Sequence, residues 1–121
     1  MPDSQKDFYK KLLGLNGEIR ARKYLKKAGY KILCNNYRTR HGEIDVIALD
    51  GETVVFVEVK TRSGDEYGRP CEAVDARKRK KYEAVATEFL LSRKITDAQC
   101  RFDVIEVEKG EINHIKDAFW L

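Results

Sequence analysis

Two apolar, β-branched runs on either side of one Asp-Gly pair constrain this chain more than any other feature of it. Glu43 to Leu49 and Thr53 to Thr61 are dominated by Val, Ile, Ala and Phe, and Asp50-Gly51 between them is a strong hairpin signal. Side chains on a strand alternate faces, so Glu58 and Lys60 point one way while Val55, Val57 and Val59 point toward a core. A turn at Asp50-Gly51 pairs Leu49 with Glu52, which sets Asp45 opposite Phe56 and Glu43 opposite Glu58. Asp45 then shares the face of Glu58 and Lys60, diagonal to Glu58, with α-carbons roughly 7–8 Å apart. A slip of one residue would send Asp45 to the other face.

The flanking sequence supplies the rest of a fold. Ser4-Gln5-Lys6-Asp7 resembles a capping box with Asp in place of Glu, and Phe8, Leu12, Leu15, Ile19 and Leu25 follow at mostly helical spacing. Gly29 is a stop signal. A helix with a basic outer face is therefore expected from about Gln5 to Ala28. Tyr30 to Arg38 reads as a first strand, ahead of the hairpin's two. Residues 61–70 read as a loop, and Glu72 to Ser92 as a second helix with Val74, Lys78, Tyr82, Val85 and Phe89 on one stripe. Arg101 to Glu108 and Ile112 to Ile115 complete the strands around a Lys109-Gly110 turn. The order α-β-β-β-α-β-β predicts one α/β domain over residues 1–121, with a mixed sheet flanked by helices. The second helix is long enough for a right-handed crossover. Tyr30, Tyr82, Phe89 and Phe102 are assigned to the core.

Charge is segregated. Residues 1–40 carry eleven Lys/Arg against three Asp/Glu, residues 41–76 three against nine, and residues 77–121 ten against eight. Basic flanks around an acidic centre suit a polyanion held over a cation site, although basic surface helices alone give the same counts. Cys34, Cys71 and Cys100 are odd in number and far apart, with no metal-ligand spacing, so they are expected as reduced, partly buried thiols. The first residues contain no apolar leader, and no apolar run approaches ~20 residues. A cytoplasmic protein that does not span a membrane is expected.

Asp45, Glu58 and Lys60 on one face carry chemistry. Clustered carboxylates at strand ends are costly unless solvated or neutralised, and Mg²⁺ or Mn²⁺, hard cations that prefer oxygen, would relieve the repulsion. The Val59 carbonyl adds a candidate ligand, and Lys60 beside the cation would orient water or stabilise charge on a phosphate. An isolated Glu-Val-Lys is ordinarily a solvated strand face. Its coincidence with the aspartate and the hairpin shifts the reading to a site.

Asp45, Glu58, Val59 and Lys60 in this element order resemble the PD-(D/E)XK nuclease superfamily. More closely, Gly17-Glu18, Gly42 to Ala48, Phe56 to Arg62 and Arg101 to Val104 resemble the uncharacterised bacterial YraN-like family, over nearly the whole chain. The resemblance implies a restriction-endonuclease-like core in which Asp45 and Glu58 bind the metal and Lys60 is the third catalytic residue. It implies a further acidic ligand at Glu18, where Holliday-junction-resolvase-like members place one, and a site-facing basic group at Lys78. Ile44 stands where the motif name has proline, a common departure. Junction resolvases act as dimers, so a homodimer stays open.

The expected function is metal-dependent hydrolysis of DNA, branched or single-stranded, with Arg38, Arg40 and Arg62 joining Lys78 as phosphate contacts. Tyr37 would line the same groove, and Tyr67 would sit in the loop above it. Glu43 reads as a supporting residue, His41 as a loop histidine and Asp103 as a strand residue without catalysis. The alternatives are a non-catalytic nucleic-acid-binding or accessory protein that keeps the fold, an RNA nuclease with the same site, and an interaction module with an acidic solvated face.

Overall fold

The computed structural model describes residues 3–62 and 76–119. Helix α1 spans Asp3–Lys27, and β1 (Lys31–Thr39), β2 (Gly42–Asp50) and β3 (Thr53–Arg62) follow. Helix α2 spans Ala76–Ser92, and β4 (Cys100–Glu108) and β5 (Glu111–Ile115) close the chain. The expected loop beyond Arg62, the expected first turn of the second helix, Tyr67, Cys71 and Val74 lie outside the described residues.

The five strands lie in sequence order, with β1-β2, β2-β3 and β4-β5 antiparallel and β3-β4 parallel. The parallel pair requires a crossover, which contains α2. One face of the sheet packs on α2: Ile44, Ile47, Phe56 and Phe102 surround Val85, Ala86 and Phe89. The other packs on α1: Val46, Ala48, Val55, Val57, Ile105 and Val107 surround Ala21 and Leu25. Phe119 lies against Phe102 at 5.0 Å between ring centroids and closes the α2-side core. Ala118 N–H donates to the Phe102 carbonyl and holds the segment there. Among the described residues no helix is long and apolar enough to cross a membrane.

Helix α1 ends as its sequence demands. Gly29 takes φ +98°, with Gly29 N–H bonded to Lys26 O and Tyr30 N–H to Leu25 O, the paired bonds of a Schellman cap. Lys11, Arg20, Lys23, Lys26 and Lys27 are exposed, as a basic outer face requires, but the apolar stripe is not the docked face. Gly17, Ala21 and Leu25 are buried, whereas Phe8, Leu12, Leu15 and Ile19 face solvent. The two sets lie on nearly opposite sides of the helix, because at 3.6 residues per turn the second stripe is offset by about half a turn from the first. Small residues win the sheet face because they let the helix approach. A Cβ at Gly17 would collide with the Thr61 hydroxyl and stand 3.2 Å from Thr61 Cβ. Leu25→Ala is therefore expected to cost about 2–5 kcal/mol, and Leu12→Ala under about 0.5 kcal/mol. Urea denaturation of the two variants separates these values, and equal losses would contradict the packing.

The thiols differ from expectation in one respect. Cys34 is half-buried and Cys100 is exposed, and both are free.

Candidate active site

The β2–β3 turn occupies Gly51-Glu52, with Asp50 paired to Thr53. Gly51 has φ +62° and is the only turn residue with positive φ, the pattern of a II′ turn, rather than the expected turn at Asp50-Gly51. Ile47 consequently faces Phe56, and the ladder runs to Val46 opposite Val57. Continued one step further, that register would set Asp45 opposite Glu58 rather than Phe56, a shift of two residues, but the paired ladder ends at Val46.

Beyond Val46 the regular strand breaks. Ile44 belongs to the α2-side core while Val46 belongs to the α1-side core. Two residues apart on a regular strand would share a face, so alternation fails at Asp45. The Asp45 carboxylate takes over a ladder bond: Val59 N–H donates to Asp45 Oδ2 at 2.8 Å. On β1, between residues paired to Val46 and Ile44, Asn36 has φ +51°. With its amide nitrogen turned toward the acids, Asn36 donates to both Glu43 Oε1 and Glu18 Oε1 at 3.0 Å. The orientation is assigned from these partners. Glu18 reaches this cluster because Gly17 lets α1 lie against Thr61.

Glu58 is the pivot. Its Oε1 accepts from Lys78 Nζ at 2.7 Å and lies 2.9 Å from Lys60 Nζ. Its Oε2 is buried and has no hydrogen-bond partner among the described residues. Burial alone would push the Glu58 pKa up, but Lys78, Lys60 and the Tyr82 hydroxyl outweigh it and hold the group below the usual carboxylate range. Asp45 goes the other way. Burial, then the charges of Glu18, Glu58 and Glu43, push it up to about 7, against the opposing Val59 N–H bond. Burial lowers the Lys60 pKa, with Lys78 adding to the shift against the pull of Glu58. Burial acts the same way on Lys78, but Glu58 outweighs it, so the net shift of Lys78 is upward. Burial and Glu58 hold the Tyr82 phenol well above its ordinary value.

The structure thus brings Asp45, Glu58, Lys60 and Lys78 together, with Glu18 and Glu43 adjoining. Arg38 instead pairs with Glu43 at 3.0 Å, and Arg40 Nε lies 3.4 Å from His41 Nε2. Arg62 sits at the strand end, 3.6 Å from Glu106. A cavity of about 360 Å³, lined by Gly42, Glu43, Arg77, Lys78, Lys81 and Tyr82, opens beside the site. Asn36 and Tyr82 were not expected here. An Asn-Asn pair inside a strand is a weak signal for positive φ, and a helix tyrosine one turn beyond a site lysine carries none.

Two features suit a divalent cation: a buried carboxylate oxygen without a donor among the described residues, and a second carboxylate whose ionised form burial and the surrounding acids disfavour. Residues on one strand turn N–H and C=O toward the same neighbour, so the Val59 carbonyl faces the side from which Asp45 is bonded. Among the described residues no three His, Cys, Asp or Glu side chains converge as one ligand group. A cation here would rely on two carboxylates, a carbonyl and water.

The charge cluster has a stability consequence. A carboxylate with a raised folded-state pKa binds its proton more tightly when folded, so stability falls as pH rises from the ordinary carboxylate range through about 7. Asp45→Asn, which keeps an acceptor for Val59 N–H, is expected to be more stable than wild type at pH 8 by about 1–3 kcal/mol. The gain should shrink as pH falls and vanish only below about pH 4, and Mn²⁺ should raise the melting temperature of wild type only. A variant no more stable at pH 8 would count against the cluster.

Comparison with known proteins places the chain among relatives of similar length. A family described as "Uncharacterised protein family UPF0102" matches residues 17–107. A UPF0102 protein of Alkaliphilus oremlandii is 50% identical over 90% of this chain and 98% of its own. A UPF0102 protein of Persephonella marina is 45% identical over 88% and 91%, and one of Geobacter metallireducens 44% over 93% and 96%.

Proposed function

The chain belongs to the UPF0102 family, and from the geometry of its site we propose that this member is a metal-dependent nuclease that hydrolyses phosphodiester bonds of DNA. The observation that carries the reading is Glu58. It is a half-buried carboxylate with two lysines on one oxygen, no hydrogen-bond partner on the other among the described residues, and Asp45 bonded to the neighbouring Val59 N–H.

Asp45, Glu58 and the Val59 carbonyl would hold Mg²⁺ or Mn²⁺. When bound, the ion supplies Lewis-acid stabilisation of charge on the phosphodiester and makes a nearby water more acidic. The chain's own groups do the rest. Lys60, 2.9 Å from Glu58 Oε1, is placed to orient the attacking water and to stabilise charge on the phosphate. Lys78 stays cationic and meets a phosphate oxygen, with Arg77 and Lys81 along the same cavity. Glu18 and Glu43 act on Asp45 through charge and, with Asn36, fix the strand break that aims it. Branched or single-stranded DNA is the favoured substrate, because the lining residues are phosphate-binding cations rather than base-reading groups.

A non-catalytic nucleic-acid-binding protein is the second reading. It draws on the Lys60 and Lys78 ion pairs, which compensate Glu58 without any cation. Cleavage of labelled single-stranded, linear duplex and four-way-junction DNA in Mg²⁺, Mn²⁺ or EDTA separates the two. The nuclease reading predicts cleavage that requires the metal. Binding without turnover in every condition would favour the second.

A further inference from the structure

We propose that a second nucleic-acid contact, separate from the Glu58 site, lies on the opposite face of the sheet, in the groove between α1 and the β4–β5 turn. It would hold the single strand that leaves the site. The inference rests on the nuclease reading for the identity of the polyanion, and on its own geometry for the groove.

Two cavities, about 300 and 510 Å³, run end to end along α1 and share Arg20 and Gly110 in their walls. The first begins at Thr61 and Arg62, the residues that directly follow Lys60 on β3. The second continues past Lys23, Tyr24 and Lys27. Arg20, Lys23 and Lys27 therefore line one edge over about 10 Å of helix, and Lys109 faces them from the turn. Among the described residues, none of these four cations has a carboxylate within ion-pair distance, whereas Arg38, Lys60, Lys78 and Arg101 all do. Glu108 and Glu111 flank the turn but line neither cavity.

The floor is shaped for close approach. Lys109 and Gly110 both have positive φ, so the turn is the tight I′ type, and a Cβ at Gly110 would come within 3.3 Å of the Arg20 guanidinium. Arg20 thus lies across bare backbone. Tyr24 borders the groove, and its hydroxyl lies 2.9 Å from His114 Nδ1, which fixes its position. Unpaired cations along a groove beside a fixed aromatic suit a sugar-phosphate strand.

The test is fluorescence anisotropy of a labelled oligothymidylate, about 15 nucleotides long, with full-length protein in EDTA. Arg20→Gln/Lys23→Gln should weaken binding about tenfold and lower the slope of log affinity against log salt by about 1.4. A control of equal charge, Lys94→Gln/Lys116→Gln, should change affinity less than about twofold. Equal losses in both pairs, or displacement of the strand by polyglutamate as readily as by unlabelled oligonucleotide, would overturn the groove. Hydrolysis of bis(p-nitrophenyl) phosphate in Mn²⁺, a substrate too short to reach the groove, should be unchanged in Arg20→Gln/Lys23→Gln. If wild type does not hydrolyse it while the anisotropy loss holds, the nuclease reading fails and the groove stands as a strand-binding site.

Discussion

Asp103→Ala is expected to be the most destabilising single substitution in this protein, at about 3–5 kcal/mol. Asp103 is 1% exposed and fully engaged. Arg101 donates to both its oxygens at 2.9 and 3.0 Å, His114 Nε2 lies 2.7 Å away, and Asp117 N–H donates at 3.0 Å. Arg101 reaches onward to Asp50 and Tyr30, and His114 to Tyr24, so one carboxylate ties together α1, β2, β4 and β5. Its removal leaves His114, the Asp117 N–H and the Arg101 Nε without their acceptor, and leaves a guanidinium that is four-fifths covered with only Asp50 and Tyr30. Against a total stability of about 5–15 kcal/mol, that loss is large enough to populate the unfolded state. The denaturant midpoint should fall with an unchanged slope.

Burial would raise the Asp103 pKa, but His114, Arg101 and the Asp117 N–H outweigh it and leave it below the usual carboxylate value. Its stabilisation is therefore complete above about pH 4 and is lost as pH falls through the lowered folded-state value. Wild type should lose stability below pH 4 more steeply than the variant. A loss under about 1 kcal/mol for Asp103→Ala would show that the network contributes little.

Lys60→Ala carries the second large effect, a fall of about 10²–10³-fold in cleavage rate with metal affinity largely kept. Lys60 touches Glu58 Oε1 but is not a ligand type, and Lys78 remains on the same oxygen to compensate the carboxylate. The substitution should therefore leave Mn²⁺ binding within a few-fold of wild type while removing the group that orients the water and stabilises charge on the phosphate. Calorimetry and single-turnover cleavage on the same samples read the two separately. Loss of both together would make Lys60 a structural partner of Glu58, and loss of neither would remove it from the reaction.

The hairpin and element order were legible because β-branched runs, an Asp-Gly pair and a capping glycine act locally. The register was not. Gly51 can serve as the second residue of one turn or the first of the next, and only the ladder decides. Either turn moves the partner by a whole side-chain period, so the choice between them does not alter the face expected for Asp45. Its aim toward Val59 depends on the strand break, which no local pattern announces beyond the Asn pair on β1. Helix α1 misled for a different reason. A helical stripe of large apolar residues marks an amphipathic helix but not its docked face, and here Gly17 and Ala21 set the contact. The Asp103 network joins residues as far apart as Tyr24 and His114, so each reads alone as an ordinary strand or helix residue.

The most direct test of the account is the single-turnover rate of junction cleavage in Mg²⁺ by wild type beside Asp45→Asn, a variant expected to fold at least as well. The account predicts cleavage by wild type that EDTA abolishes, and a loss of at least about 10³-fold in the variant. Equal rates in the two proteins would place the chemistry elsewhere and contradict the assignment of this site.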